Sequence, residues 1–256
     1  MYLTMLDKVS LRIHIAPAGF EIDRITLPAI QMKADRVWLM VFDNKNTDRA
    51  SYFQNQIKQI LRDKGIEIEI KECNIIDLYD VLKAMREIIE KEANNNIFIN
   101  VASGSKIEAI AGMLTASIFQ DRAKIKPYYA VPKNYGNKNE DLELKTPLSY
   151  GLKNIEYLPE YHIEQPTENQ IDLLYLIGKH GGSITKKALM RQALENKLIK
   201  TTSSNNEQAG YASLNTNYIT KLKRWNLIEE FHESSRSRVI KITKDGENML
   251  KFLKPL

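Results

Sequence analysis

The sequence has very little cysteine and histidine. Cys73 is the single cysteine among 256 residues, so the chain can form neither an internal disulfide nor a multi-cysteine zinc site. The four histidines lie at positions 14, 162, 180 and 232, without the spacing of metal ligands. We therefore expect no metal site and no bound cofactor, and a reducing compartment fits the lone thiol.

Long hydrophobic runs are also absent. No stretch of about 18 apolar residues occurs, and Met1–Asp7 lack the apolar core of a secretory signal. The composition, 43% hydrophobic and 27% charged, is typical of a globular chain long enough for two domains. We therefore expect a cytoplasmic protein that does not contact a membrane.

The first part of the chain carries no net charge. Residues 1–160 contain 22 Lys and Arg against 22 Asp and Glu, whereas residues 161–256 contain 15 against 10, which accounts for the whole net charge of +5. A basic excess on a compact domain favours an anionic partner, and nucleic acid is the commonest candidate.

Strand and helix patterns alternate in the first half. Apolar runs typical of buried strands begin at Leu11, Val37, Ile66, Ile97 and Ile125. Helical patterns lie between them, over Ile22–Ala34, Ala50–Lys64, Leu78–Lys91 and Ile107–Phe119. This alternation predicts an α/β fold, a Rossmann-like and mostly parallel sheet with helices on both faces. Pro28 should kink the first helix or delay its start.

The alternation ends after Val131. A further strand pair is expected around Leu142–Leu144 and Lys153–Tyr157. Prolines and charges interrupt all periodicity between Pro159 and Pro166, which is typical of a domain boundary. We therefore divide the chain into a first domain, residues 1–160, and a smaller second domain, residues 161–256.

Three helices and a hairpin are expected in the second domain. The first helix starts after the cap residue Thr167, the second covers about Thr185–Leu194, and the third begins near Asn215. Two strands follow, joined by a turn at Ser234–Ser235, and Lys244–Leu253 forms a last helix. This order resembles the winged helix-turn-helix domains, and the resemblance implies binding to double-stranded DNA.

The polar face of the third helix and the hairpin supply candidate DNA contacts. Asn and Lys side chains reach base edges, and Thr, Lys and Arg bind phosphate. The candidates are Asn215, Thr216, Asn217, Thr220, Lys221, Lys223 and Arg224 on the helix, with Arg236 and Arg238 on the hairpin. The alternative is a solvated polar face on a winged helix that binds protein.

A strand that ends in small residues meets a helix at Asn100–Lys106. Such a junction aims free backbone N–H groups and the positive end of the helix dipole at one point, where an anion such as phosphate can bind. Lys106 adds a positive charge there. The alternative is an ordinary strand-to-helix turn with Ser103 or Ser105 as the N-cap.

This junction resembles that of the CRISPR-associated Rossmann-fold (CARF) family. Asn100, Gly104, Ser105 and Lys106 match the family pattern, whereas positions 102 and 103 depart from it. A second element, Ala16–Glu21 followed by Arg24, looks like the Gly-Phe loop of these proteins. The resemblance implies a homodimer that binds a cyclic oligoadenylate or related nucleotide through Ala18, Gly19, Phe20, Arg24, Asn100, Ser103, Gly104, Ser105 and Lys106.

Three functions are compatible with this combination. The first is a ligand-responsive DNA-binding transcriptional regulator, as in archaeal CARF proteins with a winged helix. The second is a ring nuclease, a phosphodiesterase that opens the cyclic oligoadenylate. The third is a redox regulator that senses a nicotinamide dinucleotide, although no Gly-x-Gly-x-x-Gly follows the first strand.

Overall fold

The computed structural model describes residues 10–120, 123–136, 145–159, 164–199, 207–234 and 237–253. These residues form two compact units, with the division between residues 163 and 164. Residues 160–163, where the sequence places the domain boundary, lie outside the described residues. None of the helices in the described ranges has the length and apolar character that a membrane crossing requires.

The first unit is an α/β layer structure. Its strands are β1 (Arg12–Pro17), β2 (Arg36–Phe42), β3 (Glu67–Cys73), β4 (Asn96–Asn100), β5 (Lys124–Tyr135) and β6 (Ser149–Tyr157). Its helices are α1 (Asp23–Gln31), α2 (Ser51–Asp63), α3 (Leu78–Lys91) and α4 (Lys106–Phe119). Every strand and helix of the predicted alternation is present, while the expected strand at Leu142–Leu144 lies outside the described residues.

The six strands form one sheet in the order β3-β2-β1-β4-β5-β6, in which only the β5–β6 pair is antiparallel. The predicted Rossmann-like, mostly parallel sheet is therefore confirmed. The strands before β4 are added on one side of β1 and the later strands on the other, so the strand order reverses between the parallel strands β1 and β4. A crevice opens there beyond the carboxyl ends of the strands. Ligands of such sheets bind in that crevice.

Pro28 lies inside α1, so the helix runs through it instead of starting after it. A proline has no N–H to donate, which leaves the carbonyl of the residue four positions earlier without its helical partner. That residue is Arg24, and its carbonyl accepts a 2.8 Å hydrogen bond from Asn100 Nδ2 at the end of β4. Asn100 Oδ1 also accepts 2.9 Å from the Ala102 N–H. Asn100 thus ties α1 to the start of the loop after β4.

The loops after β1 and β4 meet closely at the crevice. Gly104 has a φ of +77°, and a Cβ there would lie 2.4 Å from Pro17 Cβ. A Cβ on Gly19 would lie 3.2 Å from the Cα of Gly104. Glycine is required at position 104 both by its left-handed backbone and by the lack of space.

The second unit has the order helix, strand, four helical segments, two strands, helix. It contains α5 (Glu168–Lys179), β7 (Ser183–Thr185), α6 (Lys186–Glu195), α7 (Glu207–Leu214), a π-helical turn (Asn215–Ile219), α8 (Thr220–Arg224), β8 (Ile228–Ser234), β9 (Ser237–Ile242) and α9 (Lys244–Leu253). The strands pair in the order β7-β9-β8. This is the predicted winged helix arrangement, with β8 and β9 as the wing.

The third helix of this unit is longer than predicted. It begins at Glu207 instead of near Asn215, and α7, the π turn and α8 follow one another without a gap up to Arg224. We call residues 207–224 the long helix. Gly210 and the low apolar content of 207–213 concealed its first two turns in the sequence, because neither signals a helix.

Candidate functional site

A cavity of about 320 Å³ lies at the predicted crevice. The loop after β1 lines it with Ala18, Gly19, Phe20 and Glu21, and the start of α4 contributes Gly104, Ser105 and Glu108. The end of β2 and the following loop add Phe42 and residues 47–50, and Ile75 and Leu148 complete the wall. The volume is within the range of small-molecule sites, about 300–1,000 Å³.

The N-terminus of α4 is partly occupied by the helix's own carboxylate. Ser105 Oγ accepts 3.2 Å from the Glu108 N–H, and Glu108 Oε2 accepts 2.7 Å from the Ser105 N–H, which is a complete capping box. The amide of Ser105 is therefore unavailable to an anion, contrary to the expected cradle of free N–H groups. The first two helical N–H groups, of Lys106 and Ile107, have no intrahelical acceptor by geometry.

Glu108 also changes the charge of the cavity. Its side chain is buried, and desolvation raises its pKa although the hydrogen bonds from Ser105 act in the opposite direction. Glu21 and Asp48 line the same cavity, whereas Arg49 is the one cation among the lining residues that the structure describes. The interior is thus rich in hydrogen-bond acceptors, and positive charge lies at its rim on the exposed side chains of Arg49 and Lys106.

The predicted ligand residues divide into two groups. Ala18, Gly19, Phe20, Gly104 and Ser105 line the cavity, and Lys106 is exposed beside it. Arg24, Asn100 and Ser103 are buried outside the lining. Arg24 donates from Nε to the Ala130 carbonyl at 2.9 Å and pairs with Glu21 at 3.1 Å. Its role in this structure is to join α1 to β5.

Sequence reasoning missed Arg49, Asp48 and Glu108. The predicted parallel sheet could have indicated the first two, because the carboxyl ends of β1, β2 and β4 lie at one edge of the sheet and the loops that follow them converge. For Glu108 the signal was the Ser105-x-x-Glu108 pattern of a capping box, which predicts a carboxylate folded back onto the helix start.

One side of α4 carries a partly exposed apolar stripe, in which Ile110 is exposed and the other residues are half-buried. Ile107, Ile110, Leu114 and Ile118 follow one another at helical spacing, and none of them is buried. Ile110 is 55% exposed. The stripe begins at Ile107 in the first turn of α4, two residues after the cavity-lining residue Ser105, so a partner that covers its start would lie near the cavity.

The second unit contains a basic groove of about 590 Å³. The start of α6 lines it with Thr185, Lys186 and Lys187, the long helix with Tyr211 and Asn215, and the wing with Ser237 and Arg238. Asn215 and Arg238, two of the predicted DNA contacts, therefore lie together. Tyr211 and Lys187 were not predicted, because the groove depends on α7 and on the start of α6.

Glu230 on β8 forms ion pairs with three cations around this groove. Its carboxylate contacts Lys186 at 2.8 Å, Lys223 at 3.3 Å and Arg238 at 3.4 Å. Burial disfavours its charge, but the hydrogen bonds and charges of Lys186 and Lys223 outweigh this and lower the pKa of Glu230 to about 2. The carboxylate holds the wing, α6 and the long helix together and partly neutralises the cations.

The other predicted DNA residues lie along the long helix. Thr216, Asn217 and Thr220 are exposed, and Lys221 is half-buried. Arg224 pairs with Glu164 and lies over the Trp225 ring at 5.6 Å. Arg236 lies outside the described residues.

Together these features define a two-domain protein: a Rossmann-like domain with a crevice at its switch point, followed by a winged helix domain. Residues 12–135 match the family described as "HFX_2341_N:-like, N-terminal". Residues 169–254 match the "DUF6293 C-terminal winged helix domain". The second match agrees with the winged helix domain that the sequence predicted, and the first covers most of the Rossmann-like unit.

An uncharacterized protein of Methanocaldococcus jannaschii, MJ1513, is 32% identical over 196 residues, which are 69% of this chain and 58% of the relative. The chain thus spans less than two thirds of that relative's length. Among solved structures, Csm6 of Enterococcus italicus bound to cyclic hexa-2′-fluoro-hexa-dAMP shares 16% identity, with 85% of this chain and 56% of that chain covered and a TM-score of 0.43.

Can2 of Sulfobacillus thermosulfidooxidans, in complex with cyclic tetra-adenylate, also shares 16% identity. The match covers 94% of this chain and 63% of that chain, with a TM-score of 0.39. At these scores neither likeness carries an argument about ligand or activity.

The ion pairs of Glu230 predict a pH-dependent stability. We expect Glu230→Gln to lower the free energy of unfolding of the second unit at pH 7 by roughly 1–3 kcal/mol, since hydrogen bonds to charged groups contribute that much. A depressed pKa stabilises the fold above the usual value of 4.5, and this contribution is lost as the pH falls towards about 2. Denaturant unfolding of both proteins between pH 7 and pH 2 measures the difference.

The matched control is Glu229→Gln. Glu229 is the exposed neighbour on the same strand, and it forms no ion pair within the described residues. Its replacement should change the stability little at any pH. A difference between wild type and Glu230→Gln that stays constant from pH 7 to pH 2 would contradict the assignment.

Proposed function

We propose that this protein is a ligand-responsive DNA-binding transcriptional regulator. Its first unit binds a cyclic oligoadenylate or a related nucleotide, and its second unit binds duplex DNA. The observation that carries the proposal is the presence in one chain of a cavity at the switch point of a Rossmann-like sheet and a winged helix with a basic groove. Nothing in this role requires chemistry on the ligand.

The charge distribution of the cavity favours a particular placement of the nucleotide. Acceptor groups of Glu108 and its neighbours suit a ribose hydroxyl or an amino group, because ionised carboxylates only accept hydrogen bonds. The phosphates are then placed at the rim, near Arg49, Lys106 and the free N–H groups at the start of α4. Arg49 is exposed and forms no ion pair in the described part of the chain, so it is available to a phosphate.

A second copy of the chain is the proposed partner of the apolar stripe on α4. A stripe of four apolar residues beside the cavity is unusual on a free surface, and a twofold interface would bury the same stripe of both copies. This arrangement would place two cavities next to each other. It would also supply two winged helices for two half-sites about one helical turn apart.

Ring nuclease activity is the second candidate, and Glu108 is the observation that favours it. A carboxylate with a raised pKa in the ligand cavity could accept the proton of a ribose 2′-hydroxyl as this oxygen attacks the adjacent phosphate. The bond to the 5′-oxygen would break, and the proton taken up by Glu108 would pass to that oxygen directly or through water, which leaves a 2′,3′-cyclic phosphate and a free 5′-hydroxyl. The regulator remains our first proposal, because the winged helix has no role in the nuclease.

The first prediction from this function concerns the ligand. We expect cyclic tetra-adenylate or cyclic hexa-adenylate to raise the melting temperature of the wild type, because a ligand that binds only the folded state stabilises it. Arg49→Ala should weaken binding roughly tenfold or more, since a charge-assisted hydrogen bond is worth about 1.5–3 kcal/mol. Calorimetric titration measures both affinities, and Arg62→Ala, an exposed arginine at the end of α2, is the control.

Chromatography of the recovered ligand separates the candidates. Intact cyclic ligand is expected of a regulator, and linear product that disappears in Glu108→Gln would favour the ring nuclease. If NADH raises the melting temperature and the cyclic oligoadenylates do not, the dinucleotide-sensing regulator is favoured and our proposal is contradicted.

The DNA proposal predicts a salt-dependent affinity that involves the basic groove. Lys187→Ala and Arg238→Ala should each weaken binding to duplex DNA and lower the slope of log affinity against log salt by about one, because each removes one phosphate contact. Fluorescence anisotropy with a labelled duplex at several salt concentrations measures this. Lys251→Ala, a lysine on α9 outside the groove, should leave the slope unchanged, and an unchanged slope in the groove variants would refute the proposal.

The dimer proposal predicts that a charge on the α4 stripe separates the copies. We expect Ile110→Asp to convert a dimer into a monomer, because burying an unpaired carboxylate at an interface is costly. Sedimentation velocity measures the state of the full chain. Ile70→Asp, at an isoleucine on the edge strand β3 that is 39% exposed, is the control and should leave the dimer intact. A wild type that stays monomeric at high protein concentration would rule the dimer out.

A further inference from the structure

The first turn of α5 contacts the long helix through one buried side chain. Gln170 is 3% exposed, and its Nε2 donates a 2.7 Å hydrogen bond to the carbonyl of Asn217. Its Oε1 accepts 2.8 Å from the N–H of Thr167, the N-cap of α5. Both polar atoms of the amide are therefore engaged, and the side chain joins the start of α5 to the middle of the long helix.

The acceptor of this bond lies in the π-helical turn. Within this turn the Thr220 N–H donates to the Asn215 carbonyl, five residues back instead of four. A π turn contains one residue more than an α turn, so it rotates every later residue by about 100° around the axis. The turn thus determines whether the residues that follow it, Thr220, Lys223 and Arg224, lie on the same side of the helix as Asn215 and Thr216.

The segment that contains Gln170 contacts the long helix at a second point. Glu164 pairs with Arg224 in the last turn of the long helix. Residues 164–170 are also the start of the second unit, directly after the point where the first unit ends. The chain that leaves the first unit therefore holds the long helix at its π turn and at its end.

We infer that Gln170 is a positioning residue for DNA recognition. By holding the Asn217 carbonyl it fixes the π turn, and this keeps the polar residues before and after the turn in one arrangement towards the base edges. The inference rests on the proposed DNA binding by the long helix. Removing the bond should reduce discrimination between DNA sequences more than it reduces binding to DNA in general.

A purely structural role would look different. If Gln170 only completed the capping box of α5, any loss of that box would lower stability and leave sequence discrimination unchanged. Thr167→Ala is the matched control, because it removes the other half of the same capping box and leaves the Gln170–Asn217 bond in place. The two roles therefore predict different results for two residues three positions apart.

The experiment uses the full chain and two DNA probes. The first is a duplex that the wild type selects from a randomised pool over repeated rounds of binding, and the second is the unselected pool. The ratio of the two affinities is measured by anisotropy at fixed salt for wild type, Gln170→Met and Thr167→Ala. Gln170→Glu at pH 8 is the second variant, because a carboxylate can still accept from the Thr167 N–H but cannot donate to the Asn217 carbonyl.

We expect the affinity ratio to fall at least tenfold in Gln170→Met and in Gln170→Glu, with affinity for the unselected pool within about twofold of wild type. Thr167→Ala should keep the wild-type ratio. Circular dichroism establishes whether each variant is folded at the assay temperature. If Gln170→Met is unfolded, the result with Gln170→Glu decides the outcome. A wild-type ratio in the folded Gln170 variants, or a wild type that binds DNA without selecting a duplex, would overturn the inference, whereas a wild type that binds neither probe would overturn the DNA proposal itself.

Discussion

The close meeting of the loops after β1 and β4 is the constraint on which the first unit depends. The strand order reverses between these two strands, so the helices that follow them pack on opposite faces of the sheet and a crevice opens beyond the strand ends. At Gly104 a left-handed backbone and the lack of space for a Cβ leave glycine as the residue that fits. This contact between the loops shapes the cavity, because it places Gly19 and Ser105 in the cavity wall.

Two buried polar side chains outside the cavity lining connect the elements around it. Asn100 compensates for the missing N–H of Pro28 by binding the Arg24 carbonyl, and it also binds the Ala102 N–H. Arg24 in turn joins α1 to the Ala130 carbonyl of β5.

The alternation of apolar runs and helical patterns was sufficient to predict the sheet, because buried parallel strands and amphipathic helices have different periodicities. The start of the long helix was not predicted, since residues 207–213 contain Gly210 and few apolar side chains. The charge of the cavity was also not predictable from the motif alone. The capping-box spacing of Ser105 and Glu108 indicates that this carboxylate returns to the helix start, but only the fold shows that it lines the cavity.

In the second unit, carboxylate and amide groups control the arrangement of the residues proposed to read DNA. Glu230 holds Lys186, Lys223 and Arg238 at the groove, and Gln170 holds the π turn of the long helix. Neither side chain stands out in the sequence, because both act through partners far along the chain. In the proposed regulator, a ligand alters DNA binding through these contacts only if it favours one arrangement of them over another.

The most direct test is the affinity of the full chain for its selected duplex with and without saturating cyclic oligoadenylate. A regulator in which both units work together predicts a change of about 5–150-fold, corresponding to a coupling free energy of roughly 1–3 kcal/mol. By linkage, the duplex must change the affinity for the ligand by the same factor. If the ligand and the duplex both bind but neither alters the affinity for the other, the protein is not a ligand-responsive regulator.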